Sequence, residues 1–169
     1  MQYFAPGGRK ESHFKSTTPL RLSARPNVAQ NILIMKVLLI EDTLTLVMLI
    51  TDLIEREGHE VIAARDGEEG IRQFLSAAPD LILLDVLMPK MAGYEVARRI
   101  RALDTEHWTP IIFLSGMVKD QDIAKGIDVG GDDYLTKPVS QVVLGAKLKA
   151  MQRIADMRRR LVQASRELE

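Results

Sequence analysis

The chain has no cysteine. Disulfides, thiolate zinc sites and cysteine nucleophiles are thereby excluded, and a reducing cytoplasm is the natural compartment. Long apolar runs are missing too: none approaches the roughly 18 to 20 residues needed to cross a bilayer. The opening MQYFAPGGRKESHFK lacks the apolar core of a signal peptide. Net charge is also absent, with 23 Lys/Arg against 23 Asp/Glu. The distribution is uneven. Residues 1–35 hold five basic side chains and one acid, residues 36–150 thirteen against nineteen, and residues 151–169 five against three. An acidic middle argues against nucleic-acid binding there, because phosphate backbones demand clustered cations. The basic N-terminal segment reads as a solvated tail.

What is present is ordinary for a globular domain with extensions: 169 residues, 46% hydrophobic and 27% charged. Residues 1–34, with Pro6, Gly7, Gly8, Pro19, Pro26 and many Ser/Thr, show no periodicity and read as a flexible extension. From Lys36 onward, short apolar runs alternate with segments of helical period. KVLLI (36–40), EVIAA (60–64), LILLD (81–85), PIIFLS (110–115) and DYLTK (133–137) are the strand candidates, EVIAA being edge-like. Between them, Leu46, Leu49, Ile50, Leu53 and Ile54 predict the core face of a first helix. Ile71, Phe74 and Leu75 follow an Asp66 cap in a second. Tyr94, Val96, Ala97 and Ile100 mark a third, and Ile123, Ala124 and Ile127 a fourth ended by Gly130 and Gly131. A fifth helix starts near Ser140. Five such units predict a doubly wound, flavodoxin-like (βα)5 fold with a parallel sheet of order 2-1-3-4-5, with any site at the carboxyl ends of the strands.

Glu41 and Asp42, Asp85, Ser115 and Lys137 stand at those ends. A lone Asp after a strand is usually a solvent-facing loop acid. Four strands each ending in a chemically matching residue argue otherwise: converging carboxylates repel one another unless a cation compensates, and oxygen-only ligands suit Mg²⁺. The stretch DVGGDDYLTKPV (128–139) also contains Gly-Gly-Asp-Asp, reminiscent of metal-holding hairpins in diguanylate cyclases and polymerases. Its tail, ending in Lys137-Pro138, points elsewhere.

LLIED (38–42), PDLILLDVLMPKMAGYE (79–95), PIIFLSG (110–116) and GGDDYLTKPV (130–139) together resemble the receiver domain of bacterial two-component response regulators. The resemblance implies a receiver over residues 35–150. It implies Asp85 as phosphoacceptor for a sensor histidine kinase or phosphotransfer protein. It further implies Mg²⁺ held by Glu41, Asp42, Asp85 and the backbone carbonyl of Leu87. Ser115, Tyr134 and Lys137 become the phosphoryl-binding and switch residues, and Pro138 a cis-proline that aims Lys137. Met88-Pro89 and Gly93 match the loop after the phosphoacceptor. Leu87 and Met117 occupy positions that tune dephosphorylation; both are apolar, so slow loss of the phosphoryl group is expected. An aspartate-nucleophile phosphatase of the haloacid dehalogenase type would want an acid at position 87. An FMN-binding flavodoxin would not begin its first loop with two acids.

Residues 151–169 read as a helical linker. Ile154, Met157, Leu161, Ala164 and Leu168 alternate spacings of three and four, forming a coiled-coil seam for a homodimer. Leu144, Leu148 and Met151 keep a frame offset by one residue, as if the helix passes from packing on the domain to packing on a partner. Arg158, Arg159 and Arg160 read as a solvated face. The segment resembles signalling helices that join receivers to diguanylate cyclase or phosphatase domains, and a free-standing receiver is the alternative. No nucleic-acid or membrane contact is expected of it.

Overall fold

A computed structural model of the chain describes residues 33–116 and 119–168. The flexible stretch expected before Met35 therefore lies, up to residue 32, outside the described residues, as does Met117. Strands and helices alternate strictly: β1 (Lys36–Ile40), α1 (Leu44–Arg56), β2 (Glu60–Ala64), α2 (Gly67–Ala77), β3 (Leu81–Asp85), α3 (Gly93–Leu103), β4 (Ile111–Ser115), α4 (Asp120–Asp128), β5 (Asp133–Thr136) and α5 (Gln141–Glu167). All pairings are parallel, and the strand order is β2-β1-β3-β4-β5, as expected. Pro110 stands outside β4, but its carbonyl still accepts from the Ile82 amide at 2.9 Å.

The strands divide their residues between two cores by simple alternation. Val37, Leu39, Leu81, Leu83, Ile112, Leu114 and Leu135 face α1 and α5. Leu38, Ile40, Ile82, Leu84, Ile111 and Phe113 face the α2 and α3 side. Every residue of β3 and β4 is buried, which explains why the central runs are apolar throughout instead of alternating. Each fully buried Leu or Ile contributes roughly 1.5–3 kcal/mol relative to exposure. The centre of the sheet is thus rigid enough to hold polar side chains at its ends.

Helix faces agree with expectation only in part. Asp66 caps α2 by accepting from the Glu69 amide at 2.8 Å, and Val96, Ala97 and Ile100 of α3 are buried. In α1 the buried stripe is Val47, Ile50, Leu53 and Ile54, while Leu49 faces solvent; Leu75 of α2 is likewise exposed. The largest departure is α4. Ile123, Ala124 and Ile127 point outward and only Gly126 is buried, because the Tyr134 ring from β5 occupies the space beneath that helix. Helix α5 runs 27 residues without a break at position 150. Leu144 and Leu148 are buried and Met151 packs beside them, whereas Met157, Leu161 and Leu168 are exposed, consistent with the offset of the two frames.

Candidate functional site

The right-handed crossovers bring the ends of β1, β3, β4 and β5 to one edge of the sheet. Glu41 follows β1 and is fully buried, Asp85 closes β3 at 3% exposure, and Ser115 closes β4 at 8%. Carboxylate oxygens of Glu41, Asp42 and Asp85 all lie within 4.8 Å of one another. Lys137, following β5, reaches into this group: its Nζ stands 2.8 Å from Glu41 Oε2 and 3.0 Å from Asp85 Oδ1. The backbone fixes the acids further. The Thr43 amide donates to Glu41 Oε1 at 3.0 Å, and the Leu87 amide donates to Asp85 Oδ1 at 3.2 Å. Arg65 braces the loop between β1 and α1 by donating to the Asp42 carbonyl from Nε and Nη2, at 3.1 and 2.5 Å.

Two of the three acids share one lysine, and the electrostatics follow. Burial pushes the Asp85 carboxyl up to about 6, helped by the charge on Glu41 and opposed by Lys137 and the Leu87 amide. Burial would raise Glu41 as well, but its bonds to Lys137 and to the Thr43 amide outweigh that and hold it below its ordinary value. Lys137 would be lowered by burial; its two carboxylate partners lift it instead. The cluster therefore sets three carboxylates against one ammonium, which Glu41 and Asp85 share. Oxygen donors at this spacing, with that charge deficit, fit a hard divalent cation such as Mg²⁺.

Backbone approach matters as much as charge. A Cβ on Gly93 would lie 2.1 Å from the Asp85 carbonyl oxygen, and the Gly93 amide donates to Val86 at 2.9 Å. The glycine therefore lets α3 abut the backbone of Asp85. The Leu87 side chain is 78% exposed beside the cluster. The Lys137–Pro138 bond is cis.

Tyr134 lies half-buried under α4. Its hydroxyl donates to the Asp122 carbonyl and accepts from Tyr94 at 3.0 Å, while its ring packs on Phe113 with centroids 5.4 Å apart. Burial, then the Tyr94 hydroxyl, pushes its phenol well above the ordinary value. The slot exists because residue 126 is glycine: a Cβ there would sit 1.9 Å from the Tyr134 hydroxyl oxygen. Tyr94 and Gly126 had not been singled out for this from sequence, although an inward tyrosine on β5 demands a small residue opposite.

The Gly-Gly-acid stretch lies at the other end of the sheet. Asp132 Oδ2 accepts from the Ile111 amide at 2.8 Å and from Arg101 at 2.9 Å, and Asp133 pairs with Lys147 at 2.5 Å. Both acids are thus occupied by protein cations, far from the metal-competent cluster. The arginines at 158–160 also depart from a purely solvated face. Arg158 Nη1 donates to the His107 carbonyl at 3.0 Å and to that of Trp108, and Arg159 pairs with Asp80 at 2.9 Å. Arg159 nonetheless stays exposed, and Arg160 matches the expectation fully, in an exposed pair with Asp156 one turn earlier.

A family model described as the response regulator receiver domain matches residues 37–149. The chain is 37% identical over 122 residues to the alkaline phosphatase synthesis transcriptional regulatory protein PhoP of Bacillus subtilis, covering 72% of this chain and 50% of that protein. It is 41% identical over 116 residues to the transcriptional regulatory protein AfsQ1 of Streptomyces coelicolor, covering 69% and 50%. The chain thus spans about half the length of the curated relatives it matches. Among solved structures, the chemotaxis protein CheY4 of Vibrio cholerae superposes with a TM-score of 0.65 at 30% identity, over 72% of this chain and 98% of that one.

Proposed function

The chain belongs to the response regulator receiver domain family, and from that premise we propose that Asp85 is its phosphoacceptor and that Lys137, Ser115 and Tyr134 read the result. Receiver domains signal and do not turn over an external substrate. The observation that carries the assignment to Asp85 is its burial at the centre of an acid cluster within 3.0 Å of Lys137.

In this reading a carboxylate oxygen of Asp85 attacks the phosphorus of a phosphohistidine. The new O–P bond forms as the N–P bond breaks, and the imidazole leaves with the electron pair. Mg²⁺, held by Glu41, Asp42, Asp85 and the Leu87 carbonyl, would neutralise charge on the transferring group. Lys137 already touches Asp85 and supplies a fixed positive charge to the phosphoryl oxygens; the Ser115 hydroxyl donates to one of them. A group near −2 replaces a single carboxylate charge. Tyr134 then changes its place under α4, which remodels the α4, β5 and α5 surface. An acid at position 87, which a phosphatase of the dehalogenase type would use, is replaced by an exposed leucine. That apolar position, with Met117, supports slow self-dephosphorylation; phosphate release no slower than from a Leu87→Asn/Met117→Glu variant would overturn it.

The donor is a sensor histidine kinase or phosphotransfer protein, met in the cytoplasm; among the described residues no helix is long and apolar enough to cross a membrane. The exposed stripe of Met157, Leu161 and Leu168 supports a homodimer through α5 that passes the signal to an output. The helix resembles linkers to diguanylate cyclases, whereas the matched relatives are named transcriptional regulators, so a cyclase output rests on the linker alone. A free-standing receiver is the second reading, favoured by the near-complete coverage of CheY4. Incubation with Mg²⁺ and acetyl phosphate tests the core: one added phosphoryl by intact mass, lost in Asp85→Asn, is expected, and uptake by that variant would overturn it. Light scattering with beryllofluoride tests the dimer.

A further inference from the structure

At the base of the sheet a polar hub on α3 joins the α3–β4 and α4–β5 loops. Arg101 of α3, whose side chain is 10% exposed, donates to the Gly130 carbonyl at 2.8 Å, the Thr109 carbonyl at 2.6 Å and Asp132 Oδ2 at 2.9 Å. It also lies 3.9 Å over the Trp108 ring. Trp108, the only tryptophan in the sequence, is held at φ +46°, and its indole N–H donates to Asp132 Oδ1 at 2.9 Å. The backbone carbonyl of the same Trp108, with that of His107, receives Arg158 from α5. Trp108 therefore stands between two elements: its ring side holds the α4–β5 loop, and its carbonyl holds the C-terminal half of α5.

From this arrangement we infer that residues beyond Met157 form a latched arm, held to the base by Arg158 and Arg159 and released through Trp108 when the α4–β5 loop moves. The strengths are arranged for this. Arg101, 10% exposed, adds ion pairs with Asp132 and Asp104 to its two carbonyl contacts, so the hub is firm. The latch is weaker by comparison. Arg158 meets two carbonyls, and Arg159, 54% exposed, meets Asp80 in a solvated pair. Past the latch the arm is not sealed by packing. A groove of about 920 Å³ runs between it and the ends of α2 and α3, and Leu161 and Val162 on its rim remain largely exposed. Weak polar contacts over an unfilled groove make an element that opens with little cost. Asp132 is two residues from Tyr134, so a shift of β5 or of the end of α4 displaces the group to which the Trp108 indole donates. Both ends bias one two-state element, which is the physical requirement for coupling. Reciprocity follows: if occupancy of the acid pocket frees the arm, freeing the arm tightens that pocket by the same factor.

The release step rests on the phosphoacceptor reading, whereas the latch itself does not. The natural absence of cysteine permits a nitroxide pair at Ser76→Cys and Ser165→Cys in the full chain, diluted with unlabelled protein so that only intramolecular distances are read. One narrow distance population is expected, broadened by Arg158→Ala/Arg159→Ala; a distribution already broad in the parent would overturn the latch. Mg²⁺ with beryllofluoride should broaden it in the parent. Trp108→Phe keeps the ring over Arg101 but loses the N–H, and should remove at least half of that response. An undiminished response would overturn the relay through Trp108. Beryllofluoride affinity, measured separately by calorimetry, should rise at least twofold in Arg158→Ala/Arg159→Ala, and an unchanged affinity would overturn the coupling. Absence of any beryllofluoride binding in the parent would instead sink the phosphoacceptor reading and leave the latch standing on the distance data alone.

Discussion

At the base of the sheet Arg101 meets Asp104 and Asp132, and its donors find the carbonyls of Gly130 and Thr109; at the top, Lys137 meets Glu41 and Asp85, with Asp42 beside them. Both ends bury charge, but the base sets one cation against two acids and the top one against three. At the base opposite charges hold each other and the surrounding loops, so removing one member breaks structure. At the top, like charges are forced together, and burial lifts Asp85 to about 6 despite the lysine beside it. Buried charge that is satisfied internally serves architecture, and buried charge left in deficit marks the place where a cation or phosphoryl group acts.

The comparison can be broken most severely at the base. Arg101→Leu leaves Asp132 and Asp104 without their cation and should cost about 3 kcal/mol in urea unfolding, with phosphoryl uptake by the remaining folded protein retained. Parent-like stability would place the hub among dispensable surface pairs. At the top the sign reverses. Without metal, Asp85→Asn should be more stable than the parent by about 2 kcal/mol at pH 8. Because the folded-state carboxyl titrates near 6 and the ordinary value is 3.8, the folded form takes up its proton first as the pH falls. The penalty is thus full above pH 6 and fades toward pH 4, and thermal melts in chelator should show the gap closing over that window.

His59 sharpens the contrast from the base side. Its Nδ1 accepts from the Met35 amide at 3.2 Å, and burial holds it below its ordinary 6.5. The unfolded chain then binds the proton first, so stability falls as the pH drops below 6.5. His59→Gln should flatten that loss, read as a smaller drop in melting temperature between about pH 7 and about pH 5. Smaller again, Tyr134→Phe should cost about 1 kcal/mol or less, since Tyr94 can turn its hydroxyl to the Asp122 carbonyl. The least effect, under about 0.5 kcal/mol, is expected for the exposed Arg159→Ala.

The top was legible in the sequence because its residues fall at ends of apolar runs, where periodicity alone fixes their direction. Strand order followed from the alternation of runs and helices, and cluster membership from the strand ends. The base was not legible for a physical reason. Arg101 lies in an amphipathic helix where an arginine normally faces water, and nothing local reveals that Trp108, Asp132 and two carbonyls close around it. The outward face of α4 was misjudged similarly: Ile123 and Ile127 satisfy helical spacing, but the space beneath them was claimed by a tyrosine from another strand. Arg158 and Arg159 have partners 51 and 79 residues away in the chain, a separation no spacing rule reaches.

Helix α5, which follows β5, is unbroken to its far end, and this continuity gives it the mechanics of a lever. From Leu148, the last fully buried contact, to Glu167 is a rigid span of roughly 28 Å at 1.5 Å per residue. A tilt of about 10° at that fulcrum would carry the tip about 5 Å sideways. A partner gripping the tip would be carried by the same distance, so a movement too small to notice within the domain becomes a sizeable step at the end of the lever.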